Sequence, residues 1–141
     1  MSLLASLSIA GSGMSAESER LSTIASNVAN ANSQVGAGGQ PYRAHEVVFQ
    51  ATSVTGEDGG GDDGDTSPAG VKVAAIVESD TPTKPVYDPT STFADADGYV
   101  QMPNVNPVDE MVNMISAQQD YQANLEAFNV AKTLALRTLT I

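Results

Sequence analysis

The sequence predicts an α+β protein that is mainly α-helical. Long N- and C-terminal helices pair as an antiparallel, coiled-coil-like core, and a small β-rich module lies between them. Three observations predict this fold. Apolar or small residues recur every three or four positions through residues 3–31, as in the seam of a coiled coil. After its first position, the segment 107–139 contains no Gly or Pro. Between these ends, short β-branched runs alternate with clusters of turn residues.

The N-terminal segment, residues 1–35, is predicted to form one long amphipathic helix. Gly11 and Gly13 each cost about 1 kcal/mol relative to Ala inside a helix, so we expect a kink or an unwound start there. The stretch I-A-S-N-V-A-N-A-N-S (24–33) ends the helix before a Gly-rich turn. Asn is a poor helix former, so these asparagines are predicted to pack and hydrogen-bond where neighbours leave room only for short side chains. The predicted seam consists of Leu3, Leu7, Ala10, Met14, Leu21, Ile24, Val28 and Ala31.

The middle segment, residues 36–106, is predicted to form a small β module. Its strands are 46–52, 71–78 and 99–102, the last after the hairpin-type turn Asp97-Gly98. Around Pro85 the chain is expected to run extended. Residues 54–69 hold many Gly and Asp and no large apolar residue, so we expect a flexible acidic loop.

The C-terminal segment, residues 107–141, has a clear helix start. Asn106 is a good N-cap, Pro107 suits the first helical position, and two carboxylates follow in the first turn, where the helix dipole favours anions. The predicted apolar set of this helix is Val108, Met111, Val112, Ile115, Leu125, Phe128, Ala131, Leu134, Ala135 and Leu139.

Composition and charge exclude several classes of protein. The net charge is −11, which argues against nucleic-acid binding. The middle segment holds eleven acidic and three basic residues, whereas both ends are nearly neutral, as suits burial in an assembly. With no Trp, three Phe and four Tyr, the chain is poor in the residues that stabilise a core, so packing against other copies or relatives is expected. No apolar run spans a membrane. The apolar start lacks the basic residue of a cleaved signal peptide.

The sequence gives little indication of a catalytic, metal-binding or cofactor-binding site. His45 is the sole histidine and there is no Cys, so a nucleophilic triad would rest on one residue, and we expect a solvent-facing or lightly buried His without a catalytic role. No loop has the spacing of a calcium-binding EF-hand, and no P-loop or G-x-G-x-x-G motif occurs. We therefore predict no catalytic residue, metal or cofactor.

The ends of the chain resemble a known family. The segment I-A-G-S-G-M-S-A…R-L-S-T-I-A-S-N-V-A-N-A-N-S and the C-terminal helix are similar to those of bacterial flagellar rod, hook and hook-associated proteins. The motifs G-Q-P-Y-R-A (39–44), V-V-F-Q (47–50), Y-D-P (87–89), A-D-A-D-G-Y-V (94–100) and M-P-N-V-N (102–106) resemble those of proximal-rod members of the basal-body rod family. Only the acidic segment 54–68 departs from this pattern.

The resemblance implies a structural subunit of the proximal rod of the flagellar basal body. Such subunits are exported by the flagellar type III apparatus without a cleaved signal. They assemble with their own copies and related rod proteins into a helical tube in the periplasm, which transmits torque to the hook and lines the export channel. Its expected partners also include the base of the basal body. The predicted packing interface comprises Leu7, Met14, Leu21, Ile24, Asn27, Val28, Asn30, Met111, Val112, Ile115, Tyr121, Leu125, Phe128, Leu134 and Leu139.

Two alternatives remain open at this point. The chain could be another axial subunit, from a different part of the rod or from the hook. It could also belong to a different class, an enzyme or ion-binding protein whose acidic middle segment acts while its helices only dimerise.

Overall fold

A computed structural model describes residues 3–34, 39–53 and 69–139. Helix α1 spans Leu3–Asn30 and helix α2 spans Pro107–Leu139. Strands β1 (His45–Ser53) and β2 (Ala69–Glu78) form one antiparallel pair, and β3 (Lys84–Tyr87) and β4 (Tyr99–Met102) form a second. The predicted fold class is confirmed. The acidic loop predicted at 54–69 lies almost wholly outside the described residues.

Helix α2 begins where the sequence places its cap. The Asn106 Oδ1 accepts a hydrogen bond from the Val108 N–H at 3.2 Å, and the Asn106 Nδ2 donates to Asp109 Oδ2 at 2.7 Å. The first backbone bond of the helix runs from the Glu110 N–H to the Asn106 carbonyl. These bonds satisfy amide groups that a helix start otherwise leaves unpaired.

The two helices are antiparallel. Asn27, near the end of α1, contacts Glu110 in the first turn of α2, while Gly13 lies against Asn124 farther along. At about 1.5 Å per residue the helices are roughly 42 and 50 Å long, so they run side by side over most of their length. None of the helices among the described residues is long and apolar enough to cross a membrane.

Helix α1 is the middle layer of the molecule. It packs on α2 and, on another side, on β1 and β2. The backbone N–H of Val71 donates to the Ser12 hydroxyl at 3.1 Å, which ties β2 to the helix. Among the described elements, α2 packs on α1 alone, so much of the surface of α2 has no cover within the subunit.

The hairpin of β3 and β4 depends on one glycine. Gly98 has φ +83°, a conformation that only glycine adopts without strain. A Cβ there would also lie 2.9 Å from the Tyr87 ring. The Asp95 carboxylate accepts hydrogen bonds from the N–H groups of Asp97 and Tyr99, which holds the turn. The predicted turn at Asp97-Gly98 and strand 99–102 are therefore confirmed.

Helix α1 begins at Leu3 and continues through both glycines, so the unwound start that was one of the two expectations is absent from the structure. Gly13 has a packing reason to be glycine, since a Cβ there would lie 2.9 Å from Asn124 Nδ2. A Cβ at Gly11 meets nothing within 4 Å.

These two glycines form a matched pair for substitution. We expect Gly11→Ala to raise the free energy of unfolding by about 1 kcal/mol, the gain in helix propensity. Gly13→Ala should show little or no gain, because Asn124 must move to admit the methyl group. Urea unfolding followed by circular dichroism measures both values, and Gly13→Ala in an Asn124→Ala background should recover the stabilisation. An equal gain at both glycines would contradict the close approach.

Candidate assembly interface

The seam between the helices is a strict heptad pattern on both sides. On α1, Gly13, Arg20 and Asn27 contact α2. Alternating steps of three and four from these positions lead to further buried or half-buried positions: Ala10, Glu17, Ile24 and, just after the helix, Ala31. On α2 the same spacing picks out every buried or half-buried position from its start: Pro107, Glu110, Met114, Ala117, Tyr121, Asn124, Phe128, Ala131 and Ala135. This alternation is the pattern of a coiled coil.

On α1 the seam is built mostly from small and polar side chains, and it is rotated relative to the predicted apolar stripe of that helix. Only Ala10, Ile24 and Ala31 belong to both. Leu7, Met14, Leu21 and Val28 instead lie seven residues apart along one flank of the seam and are half-buried. The difference has a physical reason: small residues at the seam let the helix backbones approach closely, which larger residues would prevent. Arg20 also reaches Asp120 of α2, at 3.7 Å.

A buried polar junction, made by Asn27, Tyr42, His45, Asn104 and Glu110, joins the helix pair to the β module. Asn27 is 1% exposed, and its side chain makes four hydrogen bonds. Its Nδ2 donates to the His45 carbonyl at 2.9 Å and to Glu110 Oε2 at 3.2 Å. Its Oδ1 accepts from the His45 N–H and from the Tyr42 hydroxyl, both at 2.9 Å. Four bonds use the full capacity of an amide with two donor hydrogens and two acceptor lone pairs.

The proton positions within the junction follow from these contacts. Because the single Tyr42 hydroxyl proton is donated to Asn27, the Tyr42 oxygen can only accept from His45 Nδ1, which lies 2.9 Å away. His45 therefore carries a proton on Nδ1, as expected of a structural histidine. Its ring packs against Tyr42 with centroids 5.2 Å apart.

Asn104 connects the start of β1 and the segment after β2 to the polar junction. Its Oδ1 accepts from the Ala44 N–H at 2.7 Å, and its Nδ2 donates to the Thr81 carbonyl at 2.8 Å. Directly beside it, Ala31, Ala44 and Val105 form a small apolar cluster with Tyr42 packed against it. The end of α1, the start of β1, the segment after β2 and the start of α2 thus meet at one point.

The outer side of α2 is apolar and exposed over residues 108–115. Val108 is 66% exposed and Ile115 is 55% exposed, with Met111 and Val112 exposed between them. These four residues, called here the α2 outer patch, lie on the side of α2 opposite its seam. No charged residue occurs between Glu110 and Asp120. An exposed apolar patch of this kind marks an interaction surface.

The structure divides the predicted interface residues into three groups. Ile24 and Asn27 are buried inside the subunit. Half-buried are Leu7, Met14, Leu21, Val28, Asn30, Tyr121 and Phe128, and exposed are Met111, Val112, Ile115, Leu125 and Leu134. The side chain of Leu139 lies outside the described residues.

Sequence reasoning did not assign a packing or hydrogen-bonding role between segments to Gly13, Tyr42, Asn104, Glu110 or Asn124. For two of them a signal was present, because Tyr42 lies in the motif G-Q-P-Y-R-A and Asn104 in M-P-N-V-N. The motifs that carry the family resemblance thus meet at the polar junction. No group of three or more His, Asp or Glu side chains that could hold a metal occurs in the described ranges.

Two protein families match the two ends of the chain. Residues 7–37 match the family described as flagella basal body rod protein, and residues 96–141 match the C-terminal family of the flagellar basal body rod proteins FlgE, FlgF and FlgG. The two matches include both helices of the seam and Asn27, Asn104 and Glu110 of the junction.

Curated relatives align over the whole chain. The flagellar basal-body rod protein FlgC of Salmonella typhimurium is 50% identical over 141 residues, covering 100% of this chain and 98% of the relative. FlgC of Buchnera aphidicola from Acyrthosiphon pisum is 43% identical, covering 100% and 98%. FlgC of Bacillus subtilis is 36% identical over 152 residues, covering 100% and 99%.

The polar junction predicts that alanine substitutions at Asn27 and at Asn30 lower the stability of the protein by very different amounts. We expect Asn27→Ala to lower the free energy of unfolding by about 2–4 kcal/mol, because it removes four hydrogen bonds made by a side chain that is 1% exposed and leaves the His45 N–H without its acceptor. Asn30→Ala should cost less than about 0.5 kcal/mol, since the Asn30 side chain bonds only the Ser26 carbonyl of its own helix. Urea denaturation of the two variants measures the difference. Equal costs would rule out the junction as the anchor of the helix pair.

Proposed function

Because the chain belongs to the FlgC family of flagellar basal-body rod proteins, we propose that it builds the proximal rod by packing its two terminal helices against those of neighbouring subunits. Its role as a structural subunit of the flagellar basal-body rod is that of the family. The proposal adds how the subunit assembles, with which partners and in which compartment.

One observation carries this proposal. Helix α2 keeps an uncharged apolar surface at the α2 outer patch, on the side away from the seam. In a lone soluble subunit that side of an amphipathic helix is polar and charged. The acidic middle segment, 36–106, suits the outside of a tube, where solvent stabilises charge, whereas the nearly neutral segments 1–35 and 107–141 suit its wall.

Assembly of this kind supports torque transmission and passage of exported subunits. We propose that copies of the chain and related rod proteins form a helical tube whose wall contains the helix pairs and lines the export channel. The rod then carries motor torque to the hook. A subunit under torsion must not let its helices slide, and sliding would break the bonds of Asn27 to Glu110, Tyr42 and His45 together. The junction therefore gives each subunit the stiffness that this role requires.

The partners and the route follow from the same proposal. The subunit passes through the flagellar type III apparatus without a cleaved signal, crosses into the periplasm, and binds the base of the basal body and neighbouring rod proteins. We assign it no catalytic role, and His45 acts in structure through Tyr42 and Asn27. Another axial subunit is not favoured as an alternative, because the FlgC relatives align over the full chain.

Aspartate substitutions separate folding from assembly. Ile24 is 5% exposed at the seam, so Ile24→Asp buries an unpaired charge and should unfold the helix pair. Leu125 is 40% exposed, so Leu125→Asp should fold and still fail to assemble. We expect both to abolish swimming in soft agar, with normal far-ultraviolet circular dichroism for the Leu125 variant alone.

The matched control places the same charge outside the helices. Gln40 is exposed in the connection before β1, and Gln40→Asp should swim normally and enter basal bodies at the normal level. Normal swimming by Leu125→Asp, with the variant chain present in purified basal bodies, would contradict burial of this side of α2 in the rod.

A further inference from the structure

The methionines of the chain differ in their exposure to solvent. Among residues 3–34, 39–53 and 69–139, Met14, Met102 and Met114 are half-buried, and Met111 alone is an exposed methionine. Met111 is 53% exposed and lies in the second turn of α2. An exposed thioether sulfur is open to oxidants, whereas the packing around a half-buried one restricts their approach. Met111 is therefore the methionine of this group that an oxidant reaches first.

The neighbours of Met111 offer nothing to a polar group placed there. On a helix the side chains three and four positions away are the nearest neighbours. For Met111 these are Pro107, Val108, Met114 and Ile115, and none of their side chains can donate a hydrogen bond. An oxygen atom added to the Met111 sulfur would thus depend on water for its hydrogen bonds. It would lose them wherever an apolar surface covers the α2 outer patch.

We propose that Met111 is a redox-sensitive site, at which oxidation of the thioether to the sulfoxide by a peroxide prevents the subunit from entering the rod. Hydrogen peroxide transfers one oxygen to the sulfur. The S–O bond forms, the peroxide O–O bond breaks, the sulfur gives up two electrons, and the second oxygen leaves as water with both protons. An apolar side chain becomes a polar one, and methionine sulfoxide reductases reverse the change.

The isolated subunit tolerates this oxidation because Met111 lies outside the seam, where water solvates the new oxygen. Assembly does not tolerate it, because the same oxygen is then buried without a donor. Oxidised subunits are held back while they can still be repaired. The inference rests on the proposed function, since it requires that the α2 outer patch be covered in the rod, and it adds regulation of that surface.

Peroxide mapping measures the exposure of Met111 before and after assembly. The isolated full-length chain and purified basal bodies are treated with hydrogen peroxide, and mass spectrometry of the digests gives the sulfoxide at each methionine. In the isolated chain Met111 should oxidise first, with an unchanged far-ultraviolet circular dichroism spectrum. Equal rates at Met14, Met102, Met111 and Met114 would overturn the proposal. In basal bodies Met111 should be protected, and oxidation there as fast as in the isolated chain would contradict the proposed function itself.

Incorporation is measured in cells that lack methionine sulfoxide reductase and begin to make the chain when hydrogen peroxide is added. The sulfoxide fraction at Met111 is compared between the unassembled pool and basal bodies. We expect a fraction at least about tenfold lower in basal bodies, the discrimination expected from burying one unpaired polar group. Equal fractions in the two pools, with Met111 protected in basal bodies, would refute the redox site and leave the proposed function standing.

Two substitutions at the same position provide the matched pair. Met111→Gln places a polar oxygen on an unbranched chain of similar length, whereas Met111→Leu is apolar and cannot be oxidised. Both should fold, because the position is exposed. The Gln variant should be depleted from basal bodies and swim poorly. The Leu variant should swim normally and enter basal bodies at an unchanged level under a peroxide dose that depletes the natural chain. Normal incorporation of Met111→Gln, or equal depletion of Met111→Leu and the natural chain by peroxide, would overturn the proposal.

Discussion

The buried amide of Asn27 is the interaction on which the rest of the structure depends. Its four hydrogen bonds reach the start of β1 and the first turn of α2, so one side chain fixes both the register of the helix pair and the position of the β module. A buried amide stabilises only when its partners are all in place. The junction therefore favours one arrangement of the chain and disfavours any in which α1 and α2 are displaced along each other.

Close packing of small residues is the second constraint. The seam brings Ala10, Gly13 and Asn27 of α1 against α2, whereas Leu7, Met14, Leu21 and Val28 lie on its flank and the α2 outer patch lies on the far side of α2. Such a subunit buries little apolar surface by itself. It leaves the α2 outer patch and the flank residue Leu125 exposed, and their burial in an assembly supplies stabilisation that the isolated chain lacks. This division explains how a chain without Trp can build a rigid structure.

Local elements were predictable from the sequence because local chemistry determines them. The Asn106 cap, the Asp97-Gly98 turn and the strand 99–102 depend on residues within a few positions of one another. The face of α1 that forms the seam was not predictable from hydrophobicity, since Leu7, Met14 and Leu21 lie on its flank. Nor was the meeting of Asn27 with Glu110, which are 83 positions apart. The repeated asparagines indicated an interface, and the motif residues Tyr42 and Asn104 indicated its location only in retrospect.

The most direct measurement is an electron cryomicroscopy map of purified basal bodies that resolves side chains in the rod. The account predicts that the Asn27 amide lies within hydrogen-bonding distance of Tyr42, His45 and Glu110 of the same chain, with α1 and α2 of that chain paired antiparallel. A map in which α1 pairs with α2 of a neighbouring subunit, or in which Asn27 faces solvent, would contradict it.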